Sequence, residues 1–258
     1  MKTGTREWSN LSANCCLGCK HGCHYCYAKA SAIRFGRISS PTAWERHDIR
    51  WATLDKALKK KPDSVMFPTT HDIHPDILDE CIHSIAMLLH AGHRVLIVSK
   101  PHTECIEEIC KYFGQFRNRL MFRFSIGSAY DHILRLWEPN APCFEERLEC
   151  LRIAYRSHFR TSVSIEPILD AYTPDLVKLV GPRVSDTIWL GKPNALFSRL
   201  SLNCAPHNIK GEARELLTIL NDDYIHRLVE KYKGHPAIRF KDSIRKVVDI
   251  PEEPELEL

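Results

Sequence analysis

Five short runs of apolar and β-branched residues recur along the chain: SVMFPTT (64–70), RVLIVSK (94–100), LMFRFSIGS (120–128), RTSVSIEP (160–167) and DTIWLGKP (186–193). The segments between them follow another period. PDILDECIHSIAMLLHAG (75–92) and PCFEERLECLRIAYRSH (142–158) place apolar residues at i, i+3, i+4 and i+7 and open on Pro, as helices that cover a sheet do. With a weaker first strand at REWSNLSA (6–13), the pattern predicts six strands, each followed by a helix, and hence a parallel sheet with right-handed crossovers. Six units suggest an α/β fold of the partial (β/α)6 TIM-like barrel type, and a doubly wound open sheet shares the same periodicity. Both folds bind ligands beyond the carboxyl ends of their strands, so chemistry is sought just after each apolar run. IRFKDSIRKVV (238–248) reads as a late strand or edge segment.

No linker rich in Ser, Gly or Pro divides the 258 residues, which reads as a single domain over 1–250 followed by an acidic, proline-broken tail, PEEPELEL, at 251–258. A content of 44% apolar and 26% charged residues excludes a disordered chain and a minimal disulfide scaffold. Lys and Arg number 36 against 32 Asp and Glu; a net charge of +4 leans toward anionic partners but is far from that of a dedicated nucleic-acid binder. No apolar run approaches the roughly 18 residues of a membrane span and MKTGTREW lacks a signal-peptide core, so the expectation is a cytoplasmic protein with no membrane partner.

The cysteines change this picture. There are eleven, an odd number that argues against a disulfide framework, and five of them fall in NCCLGCKHGCHYCYA between Cys15 and Cys26. Cys81, Cys105, Cys110, Cys143, Cys150 and Cys204 are dispersed and read by default as small buried hydrophobes. Cys19, Cys23 and Cys26 form CxxxCxxC after the first strand, with Gly18 and Gly22 allowing a tight loop. Structural zinc wants four ligands, usually as two pairs a dozen or more residues apart. Three thiolates on one short loop instead suit a 4Fe-4S cubane with one iron left open to a small molecule; a chance grouping of loop cysteines is the alternative. The 14 histidines show no compact metal signature despite HDIH at 71–74, so no second metal is expected.

GCKHGCHYCYA resembles the cluster loop of the radical S-adenosylmethionine (radical SAM) superfamily, and within it the spore photoproduct lyase-like branch. The likeness continues through FPTTHD (67–72), SK (99–100), FSIGS (124–128), WEPNAPCFEERLECL (137–151) and SIEPILD (164–170), and covers roughly residues 10–195. The resemblance implies a partial barrel in which Cys19, Cys23 and Cys26 hold three irons of a 4Fe-4S cluster. S-adenosylmethionine chelates the fourth, and an electron from a donor such as flavodoxin or ferredoxin cleaves it to a 5'-deoxyadenosyl radical that abstracts hydrogen from a substrate. Tyr25 is then expected to face the adenine, or else to be barrel packing. Thr69 and Thr70 stand where many members place a glycine-rich segment for the cofactor's amino group, and His71 and Asp72 either join them or cap the helix near Pro75. Lys100 is expected on the methionyl carboxylate, with a solvated lysine as the alternative. Ser125 and Ser128 are expected on the ribose. Glu166 is assigned to a cofactor or substrate hydroxyl, with Arg123 as an alternative partner; in GKPN (191–194) the backbone is expected on the adenine and Lys192 or Asn194 on the substrate, with a plain turn as the alternative. Glu138 and Arg147 read as a structural pair. Cys204 is a tentative hydrogen donor or a buried filler.

The branch points toward a nucleic-acid base or nucleotide as substrate, with a peptide or small metabolite as the alternative. A reading of another class, a structural iron-sulfur or zinc protein that binds nucleic acid, does not need six β/α units.

Overall fold

The computed structural model describes residues 4–251, so the expected tail at 251–258 lies, apart from Pro251, outside the described residues. In chain order the strands are β1 (Leu11–Ser12), β2 (Cys16–Leu17), β3 (Asp48–Ile49), β4 (Ser64–Phe67), β5 (Arg94–Ser99), β6 (Leu120–Ser125), β7 (Arg160–Ile165), β8 (Ile188–Leu190) and β9 (Ile238–Phe240). The helices are α1 (Tyr27–Arg34), α2 (Ala52–Leu58), α3 (Leu78–His90), α4 (Thr103–Tyr112), α5 (Asp131–Trp137), α6 (Phe144–Arg156), α7 (Thr173–Val180), α8 (Leu196–Leu202), α9 (His207–Ile219), α10 (Asp222–Tyr232) and α11 (Asp242–Val248).

Seven strands form one sheet in the order β1-β4-β5-β6-β7-β8-β9, parallel throughout. Because the order follows the chain without reversing, the sheet winds in one direction as a barrel does; a doubly wound sheet would reverse at a switch point. β1 and β9 are not paired with each other, so the barrel is partial. β2 and β3 make a separate antiparallel ribbon.

Two expectations are corrected. The first strand, expected over 6–13, shrinks to Leu11–Ser12, because residues 4–7 coil into a 3-10 turn and the Ser9 hydroxyl bonds the carbonyls of Leu11 (2.8 Å) and Ser64 (2.6 Å). The segment at 238–248 supplies a seventh strand beside β8 and then turns into α11, so there are seven parallel strands where six were expected.

Within the strands, alternate residues serve two different layers. Val65, Phe67, Val95, Ile97, Phe122, Phe124, Val163 and Ile165 face the helices and join the main core. The opposite face carries Met66, Leu96, Met121 and Trp189, packed with Trp8 inside the barrel. Near-continuous apolar runs such as RVLIV are what a sheet buried on both faces requires. α3 buries Cys81, Ser84, Ile85, Leu88 and Leu89, the i, i+3, i+4 stripe seen in the sequence.

The barrel interior is not wholly apolar. The Arg123 guanidinium lies against both the Trp8 (4.9 Å) and Trp189 (5.4 Å) rings, which touch each other edge-on, and donates to Ser162 Oγ at 3.0 Å. Glu7, from the N-terminal turn, pairs at 2.9 Å with both Lys241 and Arg245. Glu7, Lys241 and Arg245 pair with one another, as buried charges must, and they fasten the N-terminal turn to β9 and α11. No helix among the described residues is long and apolar enough to cross a membrane.

Candidate active site at the strand ends

The cysteine loop is held in place by bonds from distant segments. Gly18 has φ +114°, and a Cβ there would fall 2.0 Å from the Arg46 carbonyl oxygen, so only glycine lets the loop lie against residues 44–46. The next residue, Cys19, donates its N–H to Trp44 O at 2.8 Å. Asn14 Oδ1 accepts the backbone N–H groups of Thr69 (2.6 Å) and Thr70 (2.8 Å), joining the end of β1 to the end of β4. Cys26 caps α1, its Sγ accepting Lys29 N–H at 3.4 Å. From the far side of the barrel, Asn203 Nδ2 donates to the carbonyls of His24 and Cys26, both at 2.9 Å.

This loop forms one wall of a cavity of about 470 Å³, within the range of roughly 300–1,000 Å³ common for small-molecule sites. Of the eleven cysteines, Cys19, Cys23 and Cys26 line it and the other eight do not. Burial raises the Cys19 thiol well above its ordinary value and raises Cys23 to about 12. Thiolates there need a positive group to bind, and binding it releases their protons. Three thiols on one wall, an open cavity beside them and a fixed loop together fit a 4Fe-4S cluster with an added small ligand.

Opposite the loop, Lys100 follows β5 with its ammonium 5.7 Å over the Tyr25 ring. Burial pulls its pKa down, but Cys23, Tyr25, Glu138 and Asp72 together hold it well above the ordinary lysine value, so it stays charged. The Tyr25 hydroxyl donates to Glu138, and Glu138 pairs with Arg147 at 2.5 Å, both side chains almost wholly buried. Arg147 also donates to the Pro142 (2.8 Å) and Ser125 (3.0 Å) carbonyls. Burial raises the Asp72 carboxyl, but His21, Lys100 and Ser99 outweigh it and hold it well below its ordinary range. Asp72 accepts from Ser99 Oγ, Lys100 N–H (3.0 Å) and Ile73 N–H (2.8 Å), and lies 3.3 Å from His21.

Tyr25, Thr69, Thr70, Lys100, Ser125, Glu166 and Lys192 all line the cavity. Several are already engaged. Thr70 Oγ1 donates to Cys16 O (3.0 Å), Thr69 Oγ1 accepts from Asn14 Nδ2 (2.9 Å), and the Thr69 carbonyl accepts from Tyr27 (2.6 Å). Glu166 meets Lys241 at 3.6 Å, while Arg123 lies against the tryptophans; burial raises the Glu166 pKa. Lys192 lies 3.6 Å from Asp222 at the start of α10.

Ser128 lies elsewhere. It is buried outside the cavity lining, and its Oγ accepts Tyr130 N–H at 3.0 Å. Cys204 is exposed just past the end of α8 and does not line the cavity, so it is not the buried filler that was the alternative expectation. Asp72 is not a helix cap: His74 accepts the N–H of Asp76 there (3.2 Å). Glu138 and Arg147 are the structural pair expected, with Tyr25 as an added member. Sequence reasoning missed Asn14, Tyr27, Asn203 and Arg199. Of these only Tyr27, inside YCYA, carried a local signal.

No family model matches the chain. The uncharacterized protein ORF301 of Acidianus two-tailed virus is 25% identical over 166 residues, which are 60% of this chain and 54% of that protein, so the chain spans about half the length of this curated relative. Among solved structures, a cysteine-to-serine variant of spore photoproduct lyase superposes with a TM-score of 0.60 at 15% identity, covering 93% of this chain and 80% of that one. A double variant of the same lyase, with bound AdoMet and dinucleoside spore photoproduct, gives 0.59 at 16% identity over 93% and 78%. Streptococcus suis SuiB bound to precursor peptide SuiA gives 0.59 at 8% identity over 95% and 53%. The chain therefore has the fold of spore photoproduct lyase, the branch whose cysteine loop its own resembles.

Proposed function

We propose that the protein is a radical SAM enzyme in which Cys19, Cys23 and Cys26 hold a 4Fe-4S cluster and the remaining cavity takes S-adenosylmethionine. The observation that supports this most is the selection of those three thiols, out of eleven, by one cavity at the carboxyl ends of the parallel strands. When bound and reduced by a protein donor such as flavodoxin or ferredoxin, the pair supplies a carbon radical that abstracts a hydrogen atom. The chain's own residues bind, orient and exclude water. Lys100 is the cation for the methionyl carboxylate, held charged by its acidic neighbours and held in place by the bond from its N–H to Asp72. Tyr25 is pinned by Glu138 and forms the floor beneath that ammonium. Ser125 and Glu166 offer a hydroxyl and a carboxylate toward the ribose side. Thr69 and Thr70 shape the turn that brings the end of β4 to the cavity.

The substrate proposed is a nucleic-acid base or nucleotide. Arg6, Lys192 and Arg199 stand at the cavity with the exposed Tyr27, whose ring lies 6.0 Å from the Arg199 guanidinium. Cations beside an accessible aromatic face suit a phosphate-bearing base. Anaerobic reconstitution of the wild type is expected to load four irons and four sulfides per chain. Replacement of Cys19, Cys23 or Cys26 by Ala abolishes that loading and replacement of Cys15 or Cys16 does not; full loading of the triple variant overturns the assignment. For the substrate, binding of labelled oligonucleotides is expected to fall steeply with salt and to accelerate 5'-deoxyadenosine release. No binding at low salt and no acceleration by any nucleotide removes this substrate class and leaves peptides and small metabolites.

A further inference from the structure

Four imidazoles converge behind the cysteine loop, from four different segments. Ring centroids lie 5.1 Å apart for His21–His102, His74–His102 and His47–His74, and 6.2 Å apart for His21–His74. The carboxylate of Asp76 stands among them, its Oδ2 3.5 Å from His74 Nδ1 and 3.9 Å from His47 Nδ1. The His47 side chain is only 7% exposed, and neither of its ring nitrogens has a hydrogen-bond partner. Buried polar atoms are nearly always satisfied, so an imidazole unmet at both nitrogens points to a missing ligand.

The ligand atoms of His47, His74 and Asp76 all lie within 4.8 Å of one another. Tetrahedral zinc with Zn–N near 2.0–2.1 Å needs ligand atoms about 3.4 Å apart, close to the separations at Asp76. We propose that His47, His74 and Asp76 form a binding site for a divalent transition-metal ion of the zinc class, separate from the cysteine loop.

Lys20, half exposed, pairs with Asp76 and has to leave it for the ion to bind. Two nitrogens and one carboxylate oxygen leave a coordination position open to water or to His102, a set that suits zinc or a neighbouring first-row ion. None of the three residues lines the cofactor cavity. They join the segment before β3 to the turn after β4, and Lys20 and His21 bring the cysteine loop against them. A second compact group, Cys15, His71 and Cys81, is less suited to an ion, because both His71 ring nitrogens have partners, the Cys15 N–H (3.3 Å) and the Asp72 carbonyl (3.0 Å), whereas His47 has none; His74 Nδ1, which accepts the Asp76 N–H (3.2 Å), gives up that bond or ligates through its other nitrogen.

The test is a zinc count on the full-length, cluster-loaded chain after passage over a chelating resin. One zinc per chain is expected in the wild type. His47→Ala and His74→Ala are each expected to cut retained zinc at least tenfold while iron stays unchanged, with His47→Asn as a size-conserving check should His47→Ala misfold. Cobalt(II) in the same site is expected to show tetrahedral d–d absorption without thiolate charge transfer. Should the cluster fail to assemble, the same count on the chain with Cys19, Cys23 and Cys26 all replaced by Ala still decides the matter, independently of the radical SAM reading. Zinc absent from the wild type, retained unchanged in both histidine variants, or giving thiolate charge transfer with cobalt overturns the proposal.

Discussion

Lys100 keeps its charge in a confined space because the ionised carboxylates of Glu138 and Asp72 lie near it, and in the proposed function that charge meets the carboxylate of S-adenosylmethionine. Lys100→Ala is expected to weaken S-adenosylmethionine binding by about 2 kcal/mol, the worth of a hydrogen bond to a charged group, or roughly thirtyfold in Kd. Calorimetric titration measures this on cluster-loaded protein, and iron content should not change; an unchanged Kd assigns Lys100 to the scaffold. Glu138 behaves differently, because its partner Arg147 is buried. Glu138→Gln strands that guanidinium and is expected to cost about 3 kcal/mol at neutral pH. Burial alone raises the Glu138 pKa, yet Arg147 and Lys100 outweigh it, so the folded value lies below the ordinary 4.5. Its contribution is therefore present above pH 4.5 and is lost as pH falls through the lower folded value. Urea unfolding should show the gap between wild type and Glu138→Gln narrowing as pH drops below 4.5. A gap that is constant with pH contradicts the ion-pair account.

Among the elements, the cysteine loop depends on two anchors that are far apart in sequence. Gly18→Ala sets a Cβ against the backbone oxygen of Arg46, which no side-chain rotation relieves. Iron loading after reconstitution should fall severely, and normal loading shows that the loop has another way to reach the cavity. Asn203→Ala removes two bonds to loop carbonyls while leaving the ligands in place, and faster cluster loss under a chelator is the expected outcome. These anchors explain what could be read from the chain. β5, β6 and β7 stand out because strands buried on both faces need unbroken apolar runs, and α3 and α6 because each buries one stripe. Lys100 was legible because it follows such a run, and Cys19, Cys23 and Cys26 because of their CxxxCxxC spacing. β1 was overextended since a two-residue strand leaves no periodicity to detect. Asn14 and Asn203 were invisible: their partners lie 55 and 179 positions away in sequence, and nothing local distinguishes them from other asparagines. The histidine group escaped for the same reason, its rings coming from four segments that only the fold brings together.

For the whole molecule, the sequential parallel sheet gathers the ends of its strands around one mouth, and the N-terminal turn is locked to β9 and α11 through Glu7, Lys241 and Arg245. That arrangement makes the cavity the place where the proposed cluster, cofactor and substrate would meet. The most direct measurement is therefore product formation by the anaerobically reconstituted, reduced protein supplied with S-adenosylmethionine. The expected result is 5'-deoxyadenosine and methionine in equal amounts, slowly without substrate, and neither from the protein lacking Cys19, Cys23 and Cys26. An intact four-iron cluster that yields no 5'-deoxyadenosine with any of several reductants contradicts the account.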